Sequence, residues 1–141
     1  MKKRRLGIAL IVAGLTLAAL TFFFINGTIG RKPFSDISAG DIKSASVRAI
    51  APNETAPVVR KETFDELAEI LRQVTIYRRD DSGRNMAGQL ITYTVELTSG
   101  QSISVGAYGS YMYIGDVCYK AEYEPSEALN SLGNKIIRGE K

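Results

Sequence analysis

The chain predicts an α+β protein: an N-terminal transmembrane helix, then one antiparallel sheet in the order strand, helix, about five strands, helix, with both helices on one face. Three observations predict this. Leu6 to Ile25 is an apolar run without a charged side chain, two later segments space apolar residues as a helix does, and the second half alternates apolar and polar residues between glycine turns.

The first element is the apolar run, preceded by Lys2, Lys3, Arg4 and Arg5. At ~1.5 Å rise per residue, about 20 helical residues cross a hydrocarbon core of ~30 Å, and cations at one end favour keeping that end in the cytoplasm. The predicted organisation is a cytoplasmic basic end at 1–5, a membrane anchor at 6–25, a tether at 26–36 and an extracytoplasmic domain at 37–141. The location is then the cell membrane, crossed once. A cleaved signal would need a small-x-small site, and Thr21 to Thr28 supplies none. Gly27, Gly30 and Pro33 mark the tether as irregular.

A strand is expected from Asp41 to Ile50, where Ala45, Val47 and Ala49 alternate with Ser44, Ser46 and Arg48. Ala51 to Pro57 reads as a loop, with two prolines and an asparagine. Thr63 and Glu66 then form a capping-box pattern opening a helix whose stripe is Phe64, Leu67, Ala68, Leu71 and Val74.

The following meander can be registered, because residues paired across an antiparallel ladder share a face. A three-residue loop at Thr98-Ser99-Gly100 pairs Val95 with Ile103 and Tyr93 with Val105. Two-residue turns at Gly109-Ser110 and Gly115-Asp116 pair Ala107 with Met112 and Ile114 with Val117. These registers put Tyr108, Tyr111, Tyr113, Cys118 and Lys120 on the opposite, open face. A last helix near Pro125 is expected to bury Ala128, Leu129, Leu132 and Ile136, with Lys135 and Arg138 near its C-terminal end.

Composition excludes much chemistry. The chain has no histidine and one cysteine, so Ser-His-Asp and Cys-His arrangements, His-Glu-x-x-His zinc sites and internal disulfides are impossible. No Ser-x-x-Lys or Gly-x-x-x-x-Gly-Lys occurs, and Asp80-Asp81-Ser82-Gly83 lacks the acids of a calcium loop. The net charge of +3 comes from the N-terminus, since residues 33–141 hold 12 cations against 15 acids. Nucleic acid is therefore not an expected partner. No metal or cofactor is expected, and catalytic residues are assigned to none.

Asp41-Ile42-x-Ser44-x-x-Val47, Val74-x-Ile76-Tyr77 and Tyr123-Glu124-Pro125-x-Glu127-x-Leu129-Asn130-x-Leu132-x-Asn134-x-Ile136 carry a resemblance. The chain resembles uncharacterised small extracytoplasmic domain proteins, membrane-anchored or lipoprotein in type, from clostridia and related Gram-positive bacteria. That resemblance brings no activity with it. The expected function is a membrane-tethered, non-enzymatic domain binding a protein, peptide or cell-envelope ligand. Its candidate surface is Tyr108, Tyr111, Tyr113, Cys118 and Lys120, because tyrosine offers a large contact area with few rotors to freeze. Alternatives are an accessory subunit or inhibitor within a membrane complex, and a cell-envelope enzyme using carboxylates near Asp80 or Glu122 and Glu124. Cys118 is expected to be a free thiol open to reagents.

Overall fold

The structure, a computed structural model, describes residues 2–25, 27–50 and 57–140; the side chains of 2–6, 24 and 25 are outside the description. Helix α1 (Lys2–Ile25) is followed by strand β1 (Ile42–Ile50), helix α2 (Phe64–Gln73) and strands β2 (Ile76–Arg79), β3 (Leu90–Leu97) and β4 (Ser102–Tyr108). Strands β5 (Tyr111–Ile114) and β6 (Val117–Ala121) and helix α3 (Tyr123–Ile137) complete the chain. The class is α+β, with one six-stranded antiparallel sheet ordered β1-β3-β4-β5-β6-β2.

Among the described residues, no helix is long and apolar enough to cross a membrane. What is established at the N-terminus is a helix and not a span; the span expected over 6–25 also draws on Leu6, Phe24 and Ile25, whose side chains lie outside the described ones. The loop expected at 51–57 lies outside them too, except for Pro57.

The meander has the registers its turns require. Val95 pairs with Ile103, Tyr93 with Val105, Ala107 with Met112, Ile114 with Val117 and Met112 with Tyr119. Gly100, at φ 88°, closes the first loop by donating its N–H to the Leu97 carbonyl at 2.9 Å. The shared parity continues into β1, where Ala45, Val47 and Ala49 pair with Val95, Tyr93 and Ile91. These residues, with Val105, Ala107 and Met112, line one core into which α2 sends Phe64, Leu67, Ala68 and Leu71 and α3 sends Leu129 and Leu132.

Two local expectations are corrected. Thr63 is not an extended N-cap: it ends a 3₁₀ turn (Lys61–Thr63) with φ −94° and ψ −6°, and its side chain makes no capping bond. An N-cap residue typically has extended backbone angles, from which its side-chain oxygen reaches the first helix donors. In α3, Pro125 sits in the first turn after Tyr123, and the buried side is Pro125, Ser126, Leu129, Leu132 and Gly133, leaving Ala128 and Ile136 half-buried. The helix ends as Gly139, at φ 69°, donates to Ile136 and Glu140 donates to Lys135, both at 3.0 Å, the paired bonds of a left-handed C-terminal cap.

Gly133 determines how closely α3 approaches the sheet. A Cβ there would lie 3.0 Å from the Tyr93 hydroxyl and 3.2 Å from Val47 Cγ2, and would collide with Ile91. The same close seat lets the buried Tyr93 hydroxyl donate to the Leu129 carbonyl at 2.7 Å, satisfying a polar group whose orphaning costs about 1–3 kcal/mol. Gly→Ala inside a helix ordinarily stabilises by up to about 1 kcal/mol. Here Gly133→Ala is expected to destabilise by about 1–3 kcal/mol through overpacking, and a urea titration of the two proteins measures the sign.

Candidate functional site

The predicted tyrosine face is assembled by cross-strand pairing. Tyr108 pairs with Tyr111, Gly106 with Tyr113, Tyr113 with Cys118 and Tyr111 with Lys120. Lys120 Nζ stands 4.7 Å from the centre of the Tyr111 ring, a cation over the negative face of an aromatic π-system. All five residues are thus brought together on one side of the sheet.

Part of that side is covered, which corrects the expectation of an open face around Cys118; the three tyrosines and Lys120 are half-buried. After β2 the chain turns back as a 3₁₀ segment, Asp81–Asn85, laid across the tyrosines. Ser82 Oγ lies 3.1 Å from the Tyr111 hydroxyl, and Tyr108 donates its hydroxyl to the Ala87 carbonyl. Arg84 places its guanidinium 5.8 Å from the Tyr113 ring centre and donates to the Asp116 carbonyl. Gly83, within this segment, is buried against the sheet: a Cβ on it would lie 2.7 Å from Tyr111 Cγ and 3.0 Å from Cys118 Sγ. Cys118 is consequently buried and fully shielded from solvent, not an accessible thiol.

The cover is held by its own charges. Asp80 accepts from the Ser82 backbone N–H at 3.1 Å and from its hydroxyl, which holds the Asp80 carboxyl below its ordinary range. Asp81 binds Arg84 at 3.0 Å and Arg79 at 3.1 Å, and the Arg84 hydrogen bond lowers its pKa most. Burial pushes the Cys118 thiol up, away from the reactive thiolate, and burial followed by the neighbouring Cys118 raises the Tyr113 hydroxyl.

The carboxylates of the enzymatic alternative are engaged within the fold. Asp80 accepts from the Ser82 N–H and hydroxyl and donates its own N–H to the Cys118 carbonyl. Glu122 donates its N–H to the Thr75 carbonyl and accepts the Tyr77 hydroxyl at 3.2 Å. No group of three or more His, Cys, Asp or Glu is gathered for a metal among the described residues.

A concavity that sequence reasoning missed lies at one end of the helix-side face. A groove of about 710 Å³ is floored by Phe34, Ile37, Leu97, Ile103 and Ile114 and rimmed by Asp41, Ser99 and Gln101. Asp41 is fixed at the rim by the Ser38 hydroxyl at 2.6 Å and the Ser38 N–H at 2.9 Å, which lower its pKa. Alternation does place Ile103 and Ile114 on the core face. Whether a helix would cover that end could not be read from the strands alone.

No protein-family model, no curated protein and no solved structure matches the chain significantly.

Two predictions test the cover. Gly83→Ala is expected to lift the 3₁₀ segment and speed labelling of Cys118 by a polar thiol reagent at least about fivefold, at a cost of about 1–3 kcal/mol. Because the folded pKa values of Asp80 and Asp81 are depressed, their contribution is complete above the unfolded value of about 3.9 and fades as pH falls through the folded ones. With a pyridyl disulfide, which reacts in acid, protection of Cys118 should hold from neutral pH down to about pH 4 and weaken below.

Proposed function

We propose that this chain is a membrane-tethered, non-enzymatic extracytoplasmic binding domain, with its N-terminus in the cytoplasm and residues 6–25 crossing the cell membrane. The observation that carries the reading is the surface of α1. Every residue from Ile8 to Phe23 is exposed, so Leu10, Leu15 and Leu17, each about two-thirds exposed, are left without a protein core. An apolar surface of that kind is stable in lipid and costly in water. The two threonines in the run fit the same setting. Thr16 and Thr21 donate their hydroxyls to the Val12 and Leu17 carbonyls, each at 2.8 Å, so neither needs water. Lys2 to Arg5, on the other flank, supply the bias for a cytoplasmic N-terminus.

The groove suits recognition better than the tyrosine face does, because the tyrosines already spend their polar atoms on the segment above them. Phe34, Ile37, Leu97, Ile103 and Ile114 offer instead an apolar floor with a polar rim, the usual composition of a binding site.

A reporter that works only outside the cytoplasm, fused after Lys141, is expected to be active and to stay with membranes through an alkaline carbonate wash. Leu15→Arg adds about 2.5–3.5 kcal/mol to insertion at mid-span and should reduce that retained fraction. A reporter active only in the cytoplasm, or complete release of the wild-type chain by the wash, rejects the assignment. For the groove, a photo-crosslinking residue at rim position Ser99 should capture a partner on intact cells above the level captured from Glu69, on the exposed side of α2; equal capture from both excludes the groove.

A further inference from the structure

We infer that the arginines where α1 meets the sheet, Arg31, Arg78 and Arg79, form a docking surface for the phosphate headgroups of an anionic membrane leaflet; this rests on the reading of α1 as an anchor. The connection after α1 is built against the edge of the sheet. Thr28 donates its N–H to the Phe23 carbonyl at 3.1 Å, and Arg31 and Ile76 exchange N–H···O bonds of 2.8 and 2.9 Å. Gly27, at φ 64°, passes so close to β2 that a Cβ would lie 2.5 Å from the Arg78 nitrogen. The emerging chain therefore holds the Arg78 end of β2 beside the end of α1.

At that junction a recess of about 310 Å³ is lined by Gly27, Ile29, Tyr77 and Tyr119 together with the three arginines. All three arginines are exposed, and so is Ile29, at 54%. The acids nearby are accounted for: Asp81 pairs with Arg79 and Arg84, Glu122 accepts from Tyr77, and Asp80, which faces Arg78, is held by Ser82. Among the described residues, the ion pairs engage Arg79, Arg84 and Arg138, not Arg31 or Arg78.

The placement runs against the charge of the rest of the domain, where acids outnumber cations. It also opposes the topology signal, since cations after α1 reduce the asymmetry set by Lys2 to Arg5. Guanidinium groups form bidentate bonds to phosphate oxygens. An exposed isoleucine and two half-buried tyrosines beside them suit the boundary between headgroup and hydrocarbon.

The test uses the full chain in nanodiscs of phosphatidylcholine, alone or mixed with phosphatidylglycerol, with hydrogen exchange measured over residues 27–32 and 76–79. Slower exchange in the anionic lipid is expected, since each basic residue near such a surface is worth about a fivefold preference for the docked state. R31Q/R78Q should lose most of that protection and R31K/R78K should keep most of it, with exchange in β3 and β4 reporting that each variant is folded. Should R31Q/R78Q not fold, high salt on the wild-type chain must erase the protection. Equal exchange in the two lipids, protection that survives high salt, or its reproduction by inorganic phosphate over phosphatidylcholine would overturn the inference while leaving the anchor in place. Failure to enter either lipid instead overturns the anchor reading, and this inference with it.

Discussion

Residues paired across an antiparallel ladder lie on the same face, and one parity runs unbroken through five of the six strands, from the β1 edge to β6. Val47, Tyr93, Val105 and Ile114 form a row through β1, β3, β4 and β5, and Val117 of β6 continues it. Each hairpin could have inverted its strand by gaining or losing one residue. Gly100, Gly109 and Gly115, all with positive φ, are the positions that prevent this. The helices inherit their seats from the row. Gly133 meets Val47, Ile91 and Tyr93, and α2 packs beside α3 to close the remaining core. The opposite face acquires its tyrosines by the same rule.

The sheet's two edges would otherwise expose unpaired backbone groups, a template for association with other chains. Short pieces of the chain's own connections cover part of each. At β1, Val47 donates its N–H to the Pro57 carbonyl and Val59 donates to Ala45, with Ser46 and Val58 bridged. At β2 the cover is Arg31. The segment expected as a tether at 26–36 is therefore part of the fold, with Phe34 inside it and Ile37 just after it both in the core. Gly27 and Gly30 read as marks of an irregular tether in the sequence, and each is a point of close approach, to Arg78 and to Thr75 and Tyr77. Glycine absent from a periodic pattern signals loop and contact equally.

What could be read in advance was whatever has a period or a parity. The order of elements, the stripe of α2 and the registers from Ile91 to Tyr119 follow from alternation and turn chemistry. What could not be read depends on where non-periodic chain comes to lie. Asp80 to Gly88 has the composition of a polar turn, and no local property says that it folds over Tyr111 and Cys118. Strand β2 is four residues long and pairs with β6, some forty positions away, so nothing near it announces the pairing. The capping-box reading of Thr63 failed for a related reason: the preceding 3₁₀ turn had already placed that residue in helical conformation. The tyrosine face divided along the same line: which side of the sheet each residue takes was legible, and the segment laid over it was not.

The docked connection also limits where any partner of the groove can be. Arg31 is fixed to β2 and Phe34 reaches the groove floor three residues later, at most about 11 Å along an extended chain. Segment 31–41 then passes from the β2 edge to the start of β1, contributing Ile37 and Asp41 to the groove on the way. A flexible tether of the same length would let the groove sample every orientation relative to α1. This one pins it at both ends, by the Arg31–Ile76 pair and by the bond from Thr98 N–H to the Asp41 carbonyl at 2.8 Å. If α1 spans a membrane, recognition in the groove is confined to molecules at or near that surface. The restriction lowers the orientational entropy lost on binding there, and it follows from two short backbone contacts rather than from any residue that touches a ligand.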